Sequence, residues 1–273
     1  MSDAPPRPPR HLGSLEPTSP EYLGSKSFIL FITSDTSAIL SRMIKYLKFA
    51  VLVSANAEWA AVKSAFPAPS VERSPYSEYF FNHIGEERVL FFHGGLGKVA
   101  AAASTQYVID HFRPAYLINI GTCGGVAGRI GRFDVVVPDK LVIYDIYNAI
   151  GDDPDEGYYV TDLDLPAHFP TPAIRTTLYS ADRDLTPATL RDIEDRYHPT
   201  AVDWESGAIA WVTKRNGTPL LIMRGVSDLV SFERGEAEGN GALWVENTRW
   251  IMSTLISNLP KWMATITSMA ERH

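Results

Sequence analysis

Trp204-Glu-Ser-Gly-Ala-Ile-Ala-Trp-Val-Thr-Lys-Arg215, closed by Asn216-Gly217 and followed by Pro219-Leu-Leu-Ile-Met223, decides the fold class. Asn-Gly just past a helical run is a C-terminal stop signal. Five residues without a polar one among Leu220–Met223 and its leading proline read as a strand covered on both faces. A helix feeding such a strand is an α/β unit, and the same alternation recurs outward from it. Upstream, Thr186-Pro187 opens a helix to Tyr197, with an N-cap followed by proline at the first helical position. Further back lie apolar runs at Phe49–Val53, Val89–Phe92 and Tyr116–Ile120. A helix from about Ala57 to Phe66 separates the first two, and Gly94-Gly-Leu-Gly97 opens an alanine-rich helix to about Phe112. Phe133–Val137 and Leu141–Ile146 read as strands on either side of Pro138, and Asn240 to about Leu259 reads as a closing helix. The pattern predicts an α/β protein, a single three-layer α/β/α domain with a central mixed sheet.

The N-terminal part reads differently. Residues 1–27 hold six prolines among serines and glycines and are expected to be a disordered tail. Phe28–Thr33 has a strand pattern, and Thr36–Lys48 carries Ile39, Leu40, Met43, Ile44 and Leu47 at helical spacing. This extension, residues 28–47, either joins the main sheet or lies on a partner subunit. The catalytic body is then 48–273, interrupted by a long Asp-, Pro- and Gly-rich loop over 147–172.

Composition narrows the function classes. With 25 Lys and Arg against 32 Asp and Glu, the formal charge is −7, which argues against a sequence-independent grip on nucleic acid. The single cysteine, Cys123, leaves no internal disulfide and no multi-cysteine zinc site. No run approaches the roughly 18 apolar residues of a membrane span, and no cleavage-site pattern is present. The expected location is the cytoplasm. Neither a dinucleotide fingerprint nor a phosphate-binding loop occurs, so no cofactor and no metal are implied.

Ligands of such sheets collect outside the carboxyl ends of the strands. Four segments there carry unusual residues: Asn56-Ala-Glu58, Gly121–Gly125, Trp204-Glu205 and Arg224-Gly-Val-Ser-Asp228. Taken alone, Asp228 reads as an N-cap for whatever follows, Glu205 as a first-turn carboxylate favoured by the helix dipole, and Glu58 as an exposed helix-start glutamate.

Together the segments resemble a known family. Val202-Asp-Trp-Glu-Ser-Gly-Ala-Ile-Ala210 with Pro219–Asp228, preceded by Gly95-Leu-Gly-Lys-Val-Ala-Ala101 and Ile118-Asn-Ile-Gly-Thr-Cys-Gly-Gly125, is similar to the purine nucleoside phosphorylase and nucleosidase superfamily. The likeness is strongest to its methylthioadenosine/S-adenosylhomocysteine nucleosidases. It spans about residues 48–258 and implies a nucleoside phosphorylase-like fold that breaks the N-glycosidic bond of a purine nucleoside, expected to be an adenine nucleoside modified at 5′. Asp228 would be the acid at the purine N7, and Glu205 would hold the ribose hydroxyls. Trp204, where relatives usually carry a methionine, would sit beneath the sugar. Ser227, Gly95, Gly121 and Thr122 would complete the substrate site. Glu58 would activate water if Ala55-Asn-Ala-Glu58 matches the family's Met-x-x-Glu; the other register puts Trp59 there.

The phosphorylase branch places an arginine two residues before the glycine matching Gly121. This chain has Asn119, which favours water over phosphate as acceptor. Gly94 stands where nucleosidases usually have a serine, and His93, Arg129 and Arg132 read as rim or loop residues. The resemblance also implies a homodimer. The alternatives are a phosphate-dependent phosphorylase and a nucleoside-binding regulatory protein without activity.

Overall fold

Alternation of apolar residues to both faces of a strand is what the core is built on. In β1 (Phe49–Val53), Phe49, Val51 and Val53 pack to one side, and Ala50 and Leu52 to the other. The computed structural model describes residues 47–66, 70–146 and 159–271. The tail 1–27, the strand 28–33 and the helix from Thr36 lie outside the described residues, as does 147–158 of the long loop. Leu47 and Lys48, expected as the end of that helix, are not helical. Their carbonyls accept from Ala115 N and Tyr116 N and lead straight into β1.

After β1 come α1 (Asn56–Ala65), the short β2 (Glu72–Arg73), β3 (Glu78–Ile84), β4 (Glu87–His93) and α2 (Lys98–Phe112). The chain continues through β5 (Tyr116–Val126), β6 (Val135–Ile143), β7 (Val160–Asp162), β8 (Ile174–Ser180) and α3 (Pro187–Tyr197). It closes with β9 (Ala201–Asp203), α4 (Ser206–Asn216), β10 (Leu220–Val230) and α5 (Gly241–Ala270). The strands form one mixed sheet in the order β10-β6-β8-β9-β5-β1-β4-β3-β2, with β7 on β6. β10 also pairs with β5 in parallel, so β5, β9, β8, β6 and β10 close into a ring. Helices α2 and α4 cover one face through Ala101, Val108, Ala208 and Ile209. On the other face α1 and α5 bury Trp59, Val62, Ile251, Leu255 and Trp262. The α/β class and the central mixed sheet are as the sequence predicts; the closure of half the sheet is not visible in it.

Three expectations change in detail. Gly121–Gly125, expected beyond the carboxyl end of a strand, is the second half of β5. A Cβ on Gly121 would come within 2.2 Å of Arg224 Nη1, and one on Gly125 within 2.7 Å of Val226 Cγ1. Glycines are needed there because β10 and its side chains lie against them, not because the chain turns. The two strands around Pro138 are one, with a register shift between Pro138 and Lys140. The last helix runs past Leu259 to Ala270 through Pro260. A proline inside a helix costs about 3 kcal/mol. Burial of Trp262, Met263 and Ile266 beyond it, at about 1.5–3 kcal/mol each, outweighs that cost.

Candidate active site

The strand ends converge on a cleft of about 470 Å³. Ala55 and Glu58 enter it after β1, Leu96 after β4, and Thr122, Cys123 and Gly124 along β5. Trp204 and Glu205 follow β9, Ser227 and Asp228 sit near the end of β10, and Trp244 comes from the first turn of α5. Six of the eight residues singled out from sequence therefore meet in one cavity: Glu58, Thr122, Trp204, Glu205, Ser227 and Asp228. Gly95 and Gly121 do not line it. Gly121 lies behind Thr122, where its missing side chain gives room to Arg224 and Glu58. Gly95 shapes the turn into α2, with φ at +83°.

One wall is a buried charge cluster built on Arg224. Its guanidinium donates to Ser206 Oγ (3.0 Å) and Asn119 Oδ1 (2.9 Å) and pairs with Asp203 Oδ2 at 3.0 Å. Glu205 Oε2 lies 3.7 Å away and Glu58 Oε1 4.0 Å. One cation thus faces three carboxylates, and their combined field holds the guanidinium above its ordinary range. Asn119 also donates to Leu52 O at 3.1 Å, so it serves as a bracket for Arg224 and does not enter the cleft. Sequence reading missed Arg224 and Asp203. Their partners lie up to 105 residues away, and the only local signal was a charged residue inside an apolar strand.

Glu58 is buried, not exposed. Its Oε1 accepts from Thr122 N (2.6 Å) and Thr122 Oγ1 (2.9 Å), and its Oε2 from Ala55 N (3.1 Å). That last bond also closes the N-terminus of α1. Of the two oxygens, Oε2 carries the lighter load, with one hydrogen bond against two at Oε1. Of the two residues the sequence offers at this position, Glu58 lines the cleft, whereas Trp59 points away into the α1–α5 core and its indole donates to Glu78.

Glu205 is the N-cap residue of α4, one step before the helix, and its side chain makes no cap bond. Instead Oε1 accepts from Gly97 N at 3.0 Å. Burial pushes its carboxyl up to about 8 against the pull of Arg224, with Asp203 adding to the rise. Asp228 lies within β10 and caps nothing; the helix that follows is capped by Asn240. Burial raises its carboxyl, the Ser227 hydroxyl at 2.6 Å draws it back, and Glu236 and Asp184 push it up again. Ser227 is pinned in turn: its hydroxyl reaches Cys123 O, and its carbonyl accepts from Asn247 Nδ2 at 2.7 Å.

His93, Arg129 and Arg132 do not line the cleft. His93 stacks on Trp59 at 5.5 Å between Ser77 Oγ and Ser54 O, and burial lowers its pKa. Arg129 pairs with Glu194, and Arg132 with Glu236. Burial pushes the Cys123 thiol far up, which removes it as a nucleophile. Among the described residues no group of three or more His, Cys, Asp or Glu is arranged to hold a metal ion, and no helix is long and apolar enough to cross a membrane.

Comparison with known proteins gives a consistent picture. The signature of the phosphorylase superfamily matches residues 48–257. A 5′-methylthioadenosine/S-adenosylhomocysteine nucleosidase of Marinomonas sp. is 28% identical over 172 residues, 57% of this chain and 74% of its own length. One from Listeria monocytogenes serotype 4b is 29% identical over 191 residues, 60% of this chain and 80% of its own. Among solved structures, the nucleosidase of Neisseria meningitidis in complex with methylthio-immucillin-A superposes with a TM-score of 0.65 at 19% identity. That match covers 79% of this chain and 99% of the other. A futalosine hydrolase mutant of Helicobacter pylori has the same fold, with a TM-score of 0.62 at 14% identity over 78% and 99% of the two chains.

Proposed function

Because this chain belongs to the phosphorylase superfamily, we propose that its cleft hydrolyses the N-glycosidic bond of a purine nucleoside, an adenine nucleoside modified at 5′, and releases the free base and the sugar. The observation that carries this reading is the placement of Glu58, Glu205 and Asp228 on one cavity whose guanidinium, Arg224, is already engaged by Asp203, Asn119 and Ser206.

Cleavage at C1′ builds positive charge on the sugar and negative charge on the base. Asp228, whose carboxyl is raised above its ordinary range by burial, delivers a proton to N7 of the leaving purine. Glu205 accepts hydrogen bonds from the ribose hydroxyls and, once ionised, faces the developing cation; those contacts strengthen toward the transition state. Trp204 lies under the sugar. Glu58 takes the proton of the attacking water, held by Thr122 and the start of α1.

Water, not phosphate, is the acceptor. A helix N-terminus is a ready anion site, but here the amides opening α2 are taken by carboxylates: Gly97 N by Glu205 and Lys98 N by Asp182. Asn119, in the phosphorylase arginine position, is buried behind Arg224. Leu96 and Val99 stand 61% and 81% exposed beside the cleft, and we assign this apolar rim to a second copy of the chain, as a homodimer. The reaction is placed in the cytoplasm, in keeping with a lone reduced cysteine.

A panel of nucleosides assayed for free base, with and without phosphate, tests the proposal. Base release with free sugar in phosphate-free buffer is expected. Strict dependence on phosphate overturns hydrolysis in favour of phosphorolysis, and tight nucleoside binding without any base release leaves a regulatory protein.

A further inference from the structure

Among the described residues, the hydrogen bond to the Glu205 side chain comes from Gly97 N, in a turn with little apolar cover. The residues on either side of it, Leu96 and Val99, are largely exposed. Gly97 itself has φ at +85°, open to glycine but unfavourable for other residues.

What fixes the turn is polar and comes from three separate stretches of chain. Lys98 N donates to Asp182 Oδ1 at 2.7 Å, and Lys98 Nζ reaches Asp182 Oδ2 at 3.4 Å. The same ammonium contacts Asp145 Oδ2, just beyond β6, and that carboxylate also accepts from Asp182 N at 3.1 Å. The side chains are 19%, 26% and 42% exposed for Lys98, Asp145 and Asp182, and none lines the cleft. Asp182 also packs against Gly97, where an added Cβ would stand 3.0 Å from its Oδ1. Isolated surface pairs contribute little to stability, so this closed set has little to do with holding the protein together. Its placement behind the Gly97 amide gives it another use.

We propose that Lys98, Asp145 and Asp182 form a latch that positions the Gly97 amide on Glu205 and so sets the fraction of Glu205 that is ionised. They are positioning residues, and their value for catalysis rests on the nucleosidase reading above. Besides that amide, Glu205 faces Arg224 of β10, Asp203 of β9 and Glu58 of α1. Arg224 and the Gly97 amide favour its charged form, and the two acids oppose it. Loss of the amide tips this balance toward the protonated carboxyl, which cannot support a cationic sugar.

The test separates the latch from plain charge. Through space alone, Lys98→Met removes a cation and raises the Glu205 pKa, whereas Asp182→Ala removes an anion and lowers it. The latch predicts a rise in both. Carbon-13 NMR of glutamate-labelled protein follows the titration without substrate, with the Glu205 resonance assigned by its loss in Glu205→Gln. Both variants are expected to move the Glu205 midpoint upward by about one pH unit, the equivalent of one hydrogen bond to a charged group. Shifts of opposite sign, or an unmoved midpoint in both, overturn the latch. Because the readout needs no turnover, it stands whether or not the nucleoside panel finds a substrate.

Discussion

Two carboxyl groups that line the cleft, Glu205 and Asp228, are both raised by burial, yet their surroundings differ in kind. Glu205 has a guanidinium 3.7 Å away and a backbone N–H on its other oxygen. Asp228 has a single neutral donor, the Ser227 hydroxyl, and two further acids, Glu236 and Asp184, nearby. A site with a cation at hand gives up its proton when a ligand offers more positive charge. At Asp228 burial raises the carboxyl, the Ser227 hydroxyl and the Arg132 charge draw it back, and Glu236 and Asp184 push it up. That contrast is the basis on which base-side acid and sugar-side anion are proposed here.

The comparison is broken most severely at Asp228. Asp228→Asn keeps the shape and the hydrogen bond but has no carboxylic proton, so turnover is expected to fall about a hundred- to ten-thousand-fold. Affinity for a non-reacting nucleoside analogue should stay near parental, measured on the same preparation. Comparable losses of affinity and turnover would mean that Asp228 only binds.

Glu205→Gln sharpens it through stability. The folded-state value of about 8 lies above the ordinary 4.5. The folded protein therefore binds the extra proton between these values, and stability falls as pH rises through that window. Glutamine has no such penalty. The variant is expected to lose most of its turnover yet gain on the order of 1–3 kcal/mol over the parent at pH 8 and above, read from Tm. Equal melting curves at pH 5 and pH 9 would remove the buried acid from the account. The same titration predicts that a cationic sugar mimic binds the parent more tightly as pH rises toward 8.

The smallest expected effect is at Ser227. Ser227→Ala removes the hydroxyl that, together with the Arg132 charge, draws Asp228 down. The alkaline limb of kcat/KM, set by the acid that must stay protonated, should move to higher pH while kcat changes only a few-fold. A shift to lower pH contradicts the arrangement.

These contrasts also show how far the sequence could be read. β1, α2, α3 and the helix–strand pair α4–β10 were legible because each is local: an apolar run, an alanine-rich period, a Thr-Pro start, an Asn-Gly stop. Glu78–Ile84 and Ile174–Ser180 were not, since β3 is half exposed near the sheet edge and β8 is polar over much of its length. The glycines of β5 were expected beyond a strand end because the atoms that demand them, Arg224 Nη1 and Val226 Cγ1, come from a strand a hundred residues away. A similar distance separates Arg224 from Asn119, and neither Arg224 nor Asp203 showed its partners locally, while Glu58, Glu205 and Asp228 were found through motif resemblance. The upward shifts of the Glu205 and Asp228 carboxyls could be read only from the contacts.

The central claim is that Asp228 enters the reaction carrying a proton. Carbon-13 NMR of aspartate-labelled protein measures it directly, with the Asp228 resonance identified by its loss in Asp228→Asn. The account predicts a carboxyl that titrates well above the ordinary aspartate value of 3.8 and moves higher still in Ser227→Ala. An Asp228 already ionised at or below that value would contradict it.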